Sequence, residues 1–351
     1  MDAPFFSIIV PVFNSKKYLK ACLDSILTQS FQDFEIIMIN DGSVDGSKEI
    51  IEGYQATNPR IQLFNQENKG QGEARNVGVD KARGKYLWFV DSDDRITADS
   101  LAYLYAQLGS NTDGFMFTCN VIEPLLTEEK DRVNHFKCGF DEDIADGEYS
   151  SKDLLEILFK GKMIPLCCNK VFAKELFVKN GFRFTKGIYF EDVLFNTTLI
   201  NSCKAIQIVK KDLYVYNQHA DSTMGSLCTN KHVYSIFTAL HEVSQFMKDK
   251  GLYHTYELDY CAFYWRQLTF IYYKFLKDAD LDKNILFLNE LSRSTKDLPL
   301  QYFLPVGEEG TDFPFAMLLK VITEYEKMNE EMESMVLESF NFPQEFVDSY
   351  M

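Results

Sequence analysis

The stretch that decides the fold is "KYLWFVDSDDR", residues 85–95. A mostly apolar run of strand length leads directly into three carboxylates, Asp91, Asp93 and Asp94. Such a run, bounded by polar residues, is typical of a strand that is buried on both faces. Side chains alternate along an extended segment, so Asp91 and Asp93 are expected to point to the same side. The stretch therefore predicts a central strand that ends in an acidic cluster.

The residues around this strand alternate between strand-like and helix-like patterns. Apolar runs of strand length occur at residues 6–13, 34–40, 61–64 and 114–120, and segments with apolar residues at helical spacing separate them. This alternation predicts an α/β fold with a largely parallel sheet covered on both sides by helices. Ligands bind such sheets beyond the carboxyl ends of the strands, so the acidic cluster lies where a site is expected.

The pattern changes twice further along the chain. Residues 121–147 are acidic and are predicted to form a loop, and helical periodicity with many aromatic residues dominates after about residue 226. We therefore predict an α/β domain at 1–226 and an α-helical C-terminal region at 227–351. The aromatic residues of that region favour core packing against the first domain, and self-association or docking on a partner is the alternative.

Composition limits the classes of ligand and the cellular compartment. The 351-residue chain has a formal net charge of −16, which argues against general binding to nucleic acid or anionic lipid. A nucleotide ligand would then need a metal ion or a helix N-terminus to offset local repulsion. The eight cysteines include no CxxC pair and the amino terminus has no basic signal region, so we expect reduced thiols in a cytoplasmic protein.

Polar stretches follow each of the first four predicted strands. They are PVFN at 11–14, NDGSVDGS at 40–47, NQENKGQGEARN at 65–76 and DSDD at 91–94. Two of them have a structural interpretation, because Asp-Gly pairs form turns and Asp93 or Asp94 can cap the following helix. The last three also have a functional one: an Asp that binds a base or ribose, a Gly-rich cradle with Arg75 for a diphosphate, and carboxylates for Mg²⁺ or Mn²⁺. The residues alone leave both interpretations open.

Five motifs in order resemble the inverting family 2 glycosyltransferases of the GT-A fold, most closely the bacterial members that build surface polysaccharides. The motifs are FSIIVPVFN, INDGSVDGS, NKGQGEARNVGVDKARGKYLWFVDSDD, FEDVLF and YVYNQHADST, and they lie within about residues 5–225. The resemblance implies a Rossmann-like GT-A domain with a mostly parallel central sheet flanked by helices. Its nucleotide-sugar half would span about 1–120 and its acceptor half about 121–226.

The implied activity is that of a hexosyl- or N-acetylhexosaminyltransferase. Such an enzyme moves a sugar, with inversion, from a UDP-sugar donor to a hydroxyl of a glycan or lipid-linked acceptor. Capsule, exopolysaccharide or lipooligosaccharide synthesis is the implied setting. The C-terminal helices could then contact the inner face of a membrane or a partner enzyme, and homo-oligomerisation is also compatible with the sequence.

The resemblance assigns the donor-binding and metal-binding roles to residues of these motifs. The implied donor contacts are Pro11, Val12, Phe13, Asn14, Asp41, Asn68, Gly70, Arg75, Asn76, Asp91, Ser92 and Asp93. Asp93 is implied to bind the Mn²⁺ or Mg²⁺ that bridges the diphosphate. Asp91 is implied to lie toward the ribose, and Asp91 and His219 are the further implied metal ligands. A divalent ion suits this chemistry because it stabilises the charge that grows on a departing nucleoside diphosphate. For His219, an ordinary surface histidine is the alternative.

Inversion in a single displacement needs a base on the face opposite the leaving group. The Glu-Asp pair of the family corresponds to Glu191 and Asp192. We assign Asp192 as the base and Glu191 as the group that orients the acceptor or the base. The structural alternative is the acidic first turn of a helix, where carboxylates are favoured.

Two other functions are compatible with a nucleotide-binding α/β domain. A non-catalytic nucleotide-sugar-binding protein would share the donor site but would not need a base such as Asp192. A sugar nucleotidyltransferase would normally have a Gly-rich, basic loop after its first strand, whereas this chain has PVFNSKK there.

Overall fold

The structure is a computed structural model. It describes residues 3–107, 113–124, 133–219, 222, 227–276, 279 and 281–294. The chain divides into two compact units, Met1–Ser226 and Leu227–Met351. Within the described ranges, no helix has the length and apolar character that a membrane crossing requires.

The first half of the sheet is parallel, as the apolar runs predict. Its strands are β1 (Phe6–Val12), β2 (Phe34–Asp41), β3 (Ile61–Gln66) and β4 (Tyr86–Phe89), in the order β3-β2-β1-β4. The helices between them are α1 (Leu19–Leu27), α2 (Ser47–Thr57) and α3 (Gln71–Lys81). Every residue of β1, β2 and β4 is buried, so neither face of these strands is exposed to solvent. All four strands end at the same edge because their pairings are parallel.

The second half of the sheet is mixed. Its strands are β5 (Arg95–Ile96), β6 (Gly114–Pro124), β7 (Val133–Cys138), β8 (Gly147–Ser150), β9 (Lys170–Ala173) and β10 (Ala205–Asn217). Strand β9 lies antiparallel between β4 and β6, and β10 runs parallel to β6. The helices are α4 (Ser100–Gln107), α5 (Ser151–Phe159), α6 (Lys174–Asn180) and α7 (Glu191–Ser202). The mixed, mostly parallel sheet with flanking helices confirms the predicted fold class.

The prediction of a loop at residues 121–147 is wrong in part. Strand β6 continues to Pro124, β7 pairs with it antiparallel from Val133, and β8 begins at Gly147. Backbone hydrogen bonds between neighbouring strands carry these pairings, so an acidic composition does not prevent them. Composition was therefore a poor guide to the backbone in this segment.

Helix α3 packs closely against β1 at Gly78. A Cβ atom at this position would lie 2.2 Å from Cγ2 of Ile9, which is fully buried. We expect Gly78→Ala to lower the free energy of unfolding by about 1–3 kcal/mol, because helix and strand must separate to relieve the overlap. Chemical denaturation measures this loss.

The matched control for this prediction is Gly53→Ala in α2, where an added Cβ would meet no atom within 4 Å. This variant should leave stability unchanged or raise it slightly, because Ala favours the helix over Gly. A loss for Gly78→Ala no greater than that for Gly53→Ala would contradict the tight packing of α3 on β1.

The described part of the second unit is helical. It contains α8 (Asn230–Asp249), α9 (Tyr253–Ile271), a π-helical turn at Tyr272–Leu276, and α10 (Leu281–Ser294). Aromatic residues join these helices: the hydroxyl of Tyr260 donates to the carbonyl of Leu240 at 2.6 Å, and the rings of Phe237 and Phe287 lie 5.4 Å apart. The predicted helical character is confirmed for the described residues of this unit, and the prediction for 295–351 lies outside them. The aromatic residues contribute to a core inside the unit.

Candidate active site

The most buried carboxylate of the DSDD loop is Asp94, and its surroundings give it a structural role. Asp94 is fully buried and accepts hydrogen bonds from the Tyr214 hydroxyl and the Asn217 backbone amide, both at 2.7 Å. Burial, and then the nearby charges of Asp93 and Asp91, raise the pKa of Asp94 well above its usual range. The side chain therefore ties the end of β10 to the loop after β4.

Asp93 lies beside His219 at the edge of a pocket. The Nε2 atom of His219 is 2.9 Å from Oδ2 of Asp93, and the two side chains are 11% and 27% exposed. The His219 ring stacks on Tyr18 with 4.2 Å between ring centroids. Nδ1 of His219 is buried and has no hydrogen-bond partner among the described residues. A carboxylate and an imidazole thus stand side by side at a partly open position.

The pocket has a volume of about 510 Å³ and is formed by four loops. Its lining residues are Phe13, Asn14, Ser15, Lys16, Lys17, Tyr18, Asp45, Asp93 and His219. Of the predicted donor and metal residues, Phe13, Asn14, Asp93 and His219 lie here. Lys16, Lys17 and Tyr18 also line the pocket and are not among the residues predicted from the sequence. The signal for Lys16 and Lys17 is a pair of cations directly after the first-strand turn.

Hydrogen bonds between loops hold one wall of the pocket. Oδ1 of Asn14 accepts from the backbone amide of Val44 at 2.9 Å, and the hydroxyls of Ser15 and Ser92 are 2.6 Å apart. Ser92 is buried and supports this wall through its hydrogen bond to Ser15, but it does not line the pocket itself. Pro11 and Val12 are also buried, within β1, and neither lines the pocket.

The carboxylate of Asp41 is used inside the protein. It is 3% exposed and accepts hydrogen bonds from the backbone amides of Lys69 and Gly70, each at 2.9 Å. Gly70 has a φ of 89°, a left-handed value that suits glycine. The chain also packs tightly nearby, since a Cβ on Gly42 would lie 2.9 Å from the backbone nitrogen of Asn68. Asp41 thus shapes the segment at 68–70, and nucleotide contacts by these residues remain predictions.

Arg75 joins two of the predicted site carboxylates. Its Nη2 atom donates to Oδ1 of Asp91 at 2.7 Å, and its Nη1 atom donates to Oε1 of Glu191. The Arg75 side chain is 4% exposed, so solvent screens these ion pairs little. The guanidinium connects α3, the DSDD loop and the start of α7. It also forms ion pairs with Asp91 and Glu191. Of the four carboxylates predicted to bind the metal or to take part in catalysis, Asp93 and Asp192 therefore have no ion pair to Lys or Arg among the described residues.

Asn76, the neighbour of Arg75, is bonded to the protein backbone. Its amide group donates to the carbonyl of Phe184 at 3.0 Å and accepts from the backbone amide of Phe184 at 2.8 Å. Asn76 is 4% exposed. Its amide therefore fixes the segment that leads into α7, and a direct contact with the donor diphosphate is a prediction that would require these bonds to open.

Asp192 lies in the first turn of α7, next to Glu191. The residue before this turn, Phe190, has a φ of 60°, a strained value for an aromatic residue and one that clusters at functional sites. Burial, followed by the charge of Glu191, raises the pKa of Asp192 to about 7. Within the described residues, the Asp192 carboxylate has no hydrogen-bond donor. Such a carboxyl group can accept a proton at neutral pH.

The chemistry of the pocket residues fits a divalent ion. The described residues contain no group of three or more His, Cys, Asp or Glu side chains arranged to hold a metal. Mg²⁺ in nucleotide enzymes is usually held by one or two carboxylates, with substrate phosphates and water completing the shell. Asp93 and His219 supply a carboxylate and an imidazole at hydrogen-bond distance from each other, a combination that suits Mn²⁺. Asp91, the other predicted metal ligand, is bonded to Arg75, and its contact with an ion remains a prediction.

Known proteins similar to this chain agree on its family. The family model "Glycosyl transferase family 2" matches residues 7–178. Glycosyltransferase GlyG of Streptococcus pneumoniae is 31% identical over 222 residues, which are 62% of this chain and 72% of GlyG. The cholesterol galactosyltransferase of Borreliella burgdorferi is 26% identical over 273 residues, which are 76% of this chain and 74% of that enzyme.

A solved structure supports the fold. Residues 1–349 of S. aureus TarS, in complex with UDP-GlcNAc, superpose with a TM-score of 0.69 at 21% identity. The match covers 92% of this chain and 89% of TarS 1–349. Together with the sequence relatives, it establishes that the chain is a glycosyltransferase of family 2 with a GT-A fold.

Proposed function

We propose that this glycosyltransferase moves a sugar, with inversion at the anomeric carbon, from a UDP-sugar to a hydroxyl of a glycan or lipid-linked acceptor in bacterial surface-polysaccharide synthesis. One observation carries the proposal. Arg75 forms ion pairs with Asp91 and Glu191, two of the four carboxylates predicted to bind the metal or to take part in catalysis. The other two, Asp93 and Asp192, have different surroundings. Asp93 lies beside His219, and Asp192 has a pKa near neutrality.

The donor's diphosphate would bind in the pocket next to Asp93. Lys16 and Lys17 bring positive charge to this pocket, which offsets part of the acidic character of the chain. Asp93 and His219 would hold the Mn²⁺ or Mg²⁺. When bound, that ion would stabilise the negative charge of the leaving UDP. The TarS structure with UDP-GlcNAc supports a UDP-sugar as the donor for this fold.

Asp192 would act as the base for the acceptor. The acceptor oxygen forms a bond to the anomeric carbon while the bond between that carbon and the diphosphate oxygen breaks. The hydroxyl proton passes to the Asp192 carboxylate, and the electron pair of the broken bond leaves with UDP. Because Glu191 is bonded to Arg75, its proposed role in this step is to orient the acceptor or Asp192.

The class of acceptor does not follow from family membership. One relative is named for cholesterol, a lipid, whereas the motifs of this chain resemble enzymes of polysaccharide synthesis. We therefore keep both a glycan and a lipid-linked acceptor in the proposal. Both present a hydroxyl to the base.

Turnover of UDP-sugars tests the proposal directly. The purified full-length chain is incubated with UDP-GlcNAc, UDP-glucose or UDP-galactose and Mn²⁺, and the released UDP is measured. We expect slow hydrolysis of at least one donor, and loss of it when EDTA is present. Binding of UDP-sugars without any release of UDP would favour a non-catalytic binding protein. Formation of pyrophosphate from UTP and a sugar phosphate would favour a nucleotidyltransferase.

A further inference from the structure

A lysine is buried near the proposed base, and the mechanism above does not use it. Lys170, the first residue of β9, is fully buried. Its Nζ atom donates to the carbonyl of Leu166 and, at 2.6 Å, to Oδ1 of Asn169. Both acceptors are neutral. Burial of an ammonium group without a countercharge is strongly unfavourable, so the site calls for an anion close by.

A second buried residue ties the lysine's segment to the helix of the base. Asn196 lies one turn after Asp192 in α7 and is fully buried. Its Nδ2 atom donates both to the carbonyl of Pro165, at 2.9 Å, and to the carbonyl of Asp192, at 2.7 Å. The Asn196 side chain thus holds the first turn of α7 against the segment at residues 165–166, whose Leu166 carbonyl accepts a hydrogen bond from Lys170.

The charged groups around Asp192 come from several elements. They are Glu191 on its own helix, Arg75 on α3, Asp91 in the DSDD loop and Lys170 on β9. The buried thiol of Cys167 lies among them, and the buried thiols of Cys168 and Cys119 are further titratable neighbours of Lys170. Arg75 is already engaged by two carboxylates. Lys170 is the other cation in this group and has no carboxylate within ion-pair distance among the described residues. Burial lowers its pKa to about 8, so it is still mostly protonated at pH 7.

We propose that Lys170 is a positioning residue whose buried ammonium group keeps Asp192 charged and able to act as a base, and that Asn196 fixes the segment of Lys170 against the helix of Asp192. This inference rests on the proposed role of Asp192. It offers a functional reason for burying an ammonium group, which is unfavourable in free energy. Together with Arg75, Lys170 also accounts for the loss of a proton near neutral pH from a base with two carboxylates nearby.

The test replaces the lysine by an apolar residue of similar length and follows the ionisation of Asp192. In Lys170→Met, we expect the pKa of Asp192 to rise by about 1 unit, because an opposite charge has been removed. The acidic limb of the rate of UDP release then moves to higher pH by the same amount, and the rate at pH 7 falls about fivefold. Raising the pH to 9 should restore the rate, and UDP binding should be unchanged.

Two further variants separate charge from packing. Lys170→Arg keeps the charge and should keep the acidic limb within about 0.3 unit of that of the parent. Lys170→Gln can still donate a hydrogen bond to a carbonyl but has no charge, so it should shift the limb as Lys170→Met does. This variant also replaces Lys170→Met if the latter does not fold. A merely structural lysine would give the opposite pattern, in which loss of hydrogen bonds lowers stability and the pH profile stays in place.

A spectroscopic measurement keeps this inference separate from the proposed function. The ¹³Cγ resonance of Asp192, assigned by its absence in Asp192→Asn, is titrated in the parent chain and in Lys170→Met. An unchanged pKa of Asp192 would overturn the role of Lys170, whatever the activity. A raised pKa in a chain that turns over no UDP-sugar would support the pairing of Lys170 with Asp192 and would count against the proposed reaction instead.

Discussion

Replacement of Asp93 by Asn is expected to weaken Mn²⁺-dependent binding of UDP by at least about 100-fold, since loss of even an outer-shell partner typically costs 10- to 100-fold. The physical reason is that Asp93 supplies the carboxylate of the proposed two-residue metal site. Its neighbour His219 cannot compensate, because a single imidazole and the phosphates leave the ion without an anionic protein ligand. Calorimetric titration of UDP, with and without Mn²⁺, measures the change. Binding of UDP in the absence of metal should be nearly the same in variant and parent.

The control for Asp93→Asn is a carboxylate in the same pocket that is not assigned to the metal. Asp45 lines the pocket, but its oxygens accept from the backbone amide of Lys16 and from Ser47. Asp45→Asn makes the same change of charge. It should alter the affinity for Mn²⁺–UDP by no more than about threefold, because the interaction of a partly solvent-screened charge with the ligand is weak. Equal losses in both variants would show that net pocket charge, rather than a metal ligand at Asp93, governs binding.

Most of the fold could be predicted from the sequence because its central strands have an unambiguous pattern. Strands β1, β2 and β4 are buried along their whole length, and a continuous apolar run admits few other structures in an α/β alternation. Strand β7 was missed because its pairing with β6 depends on backbone hydrogen bonds across a long connection, which composition does not reveal. Local pattern was informative only where side chains decide the structure.

The candidate site could be predicted only in part, and tertiary packing is the reason. The motifs indicated which residues come from the strand ends, but partners distant in sequence are set by tertiary packing. Arg75 and Glu191 are 116 positions apart and form an ion pair, and Asp93 and His219 are 126 apart. The division of the carboxylates into paired and unpaired ones follows from these contacts. Lys170 gave no signal of its own, because a single lysine in a sequence is ordinarily exposed.

Replacement of Asp192 by Asn should lower the turnover number by about 10²–10⁴-fold, the usual contribution of a general base. The expected defect lies in the transfer step, because Asp192 does not line the donor pocket. UDP and Mn²⁺ should therefore bind with unchanged affinity. The acidic limb of the rate, which we expect near pH 7 in the parent, should disappear from the remaining activity. Initial rates of UDP release between pH 5 and 9 measure both effects.

The free energy of unfolding gives an independent test of Asp192. The sign of its change with pH distinguishes a functional carboxylate from a structural one. Burial raises its pKa to about 7, whereas an unfolded chain has an ordinary aspartate near 4. Between these values the folded state binds more protons than the unfolded state, so this group makes the free energy of unfolding fall as the pH rises. Asp192→Asn should remove that decline and leave the variant at least as stable as the parent at pH 8.

The surface variant Asp80→Asn, which removes an exposed partner of Arg183, should change neither the rate nor this pH dependence. A less stable Asp192→Asn chain that retains full turnover would mean that the carboxylate holds the fold together and that another group accepts the proton.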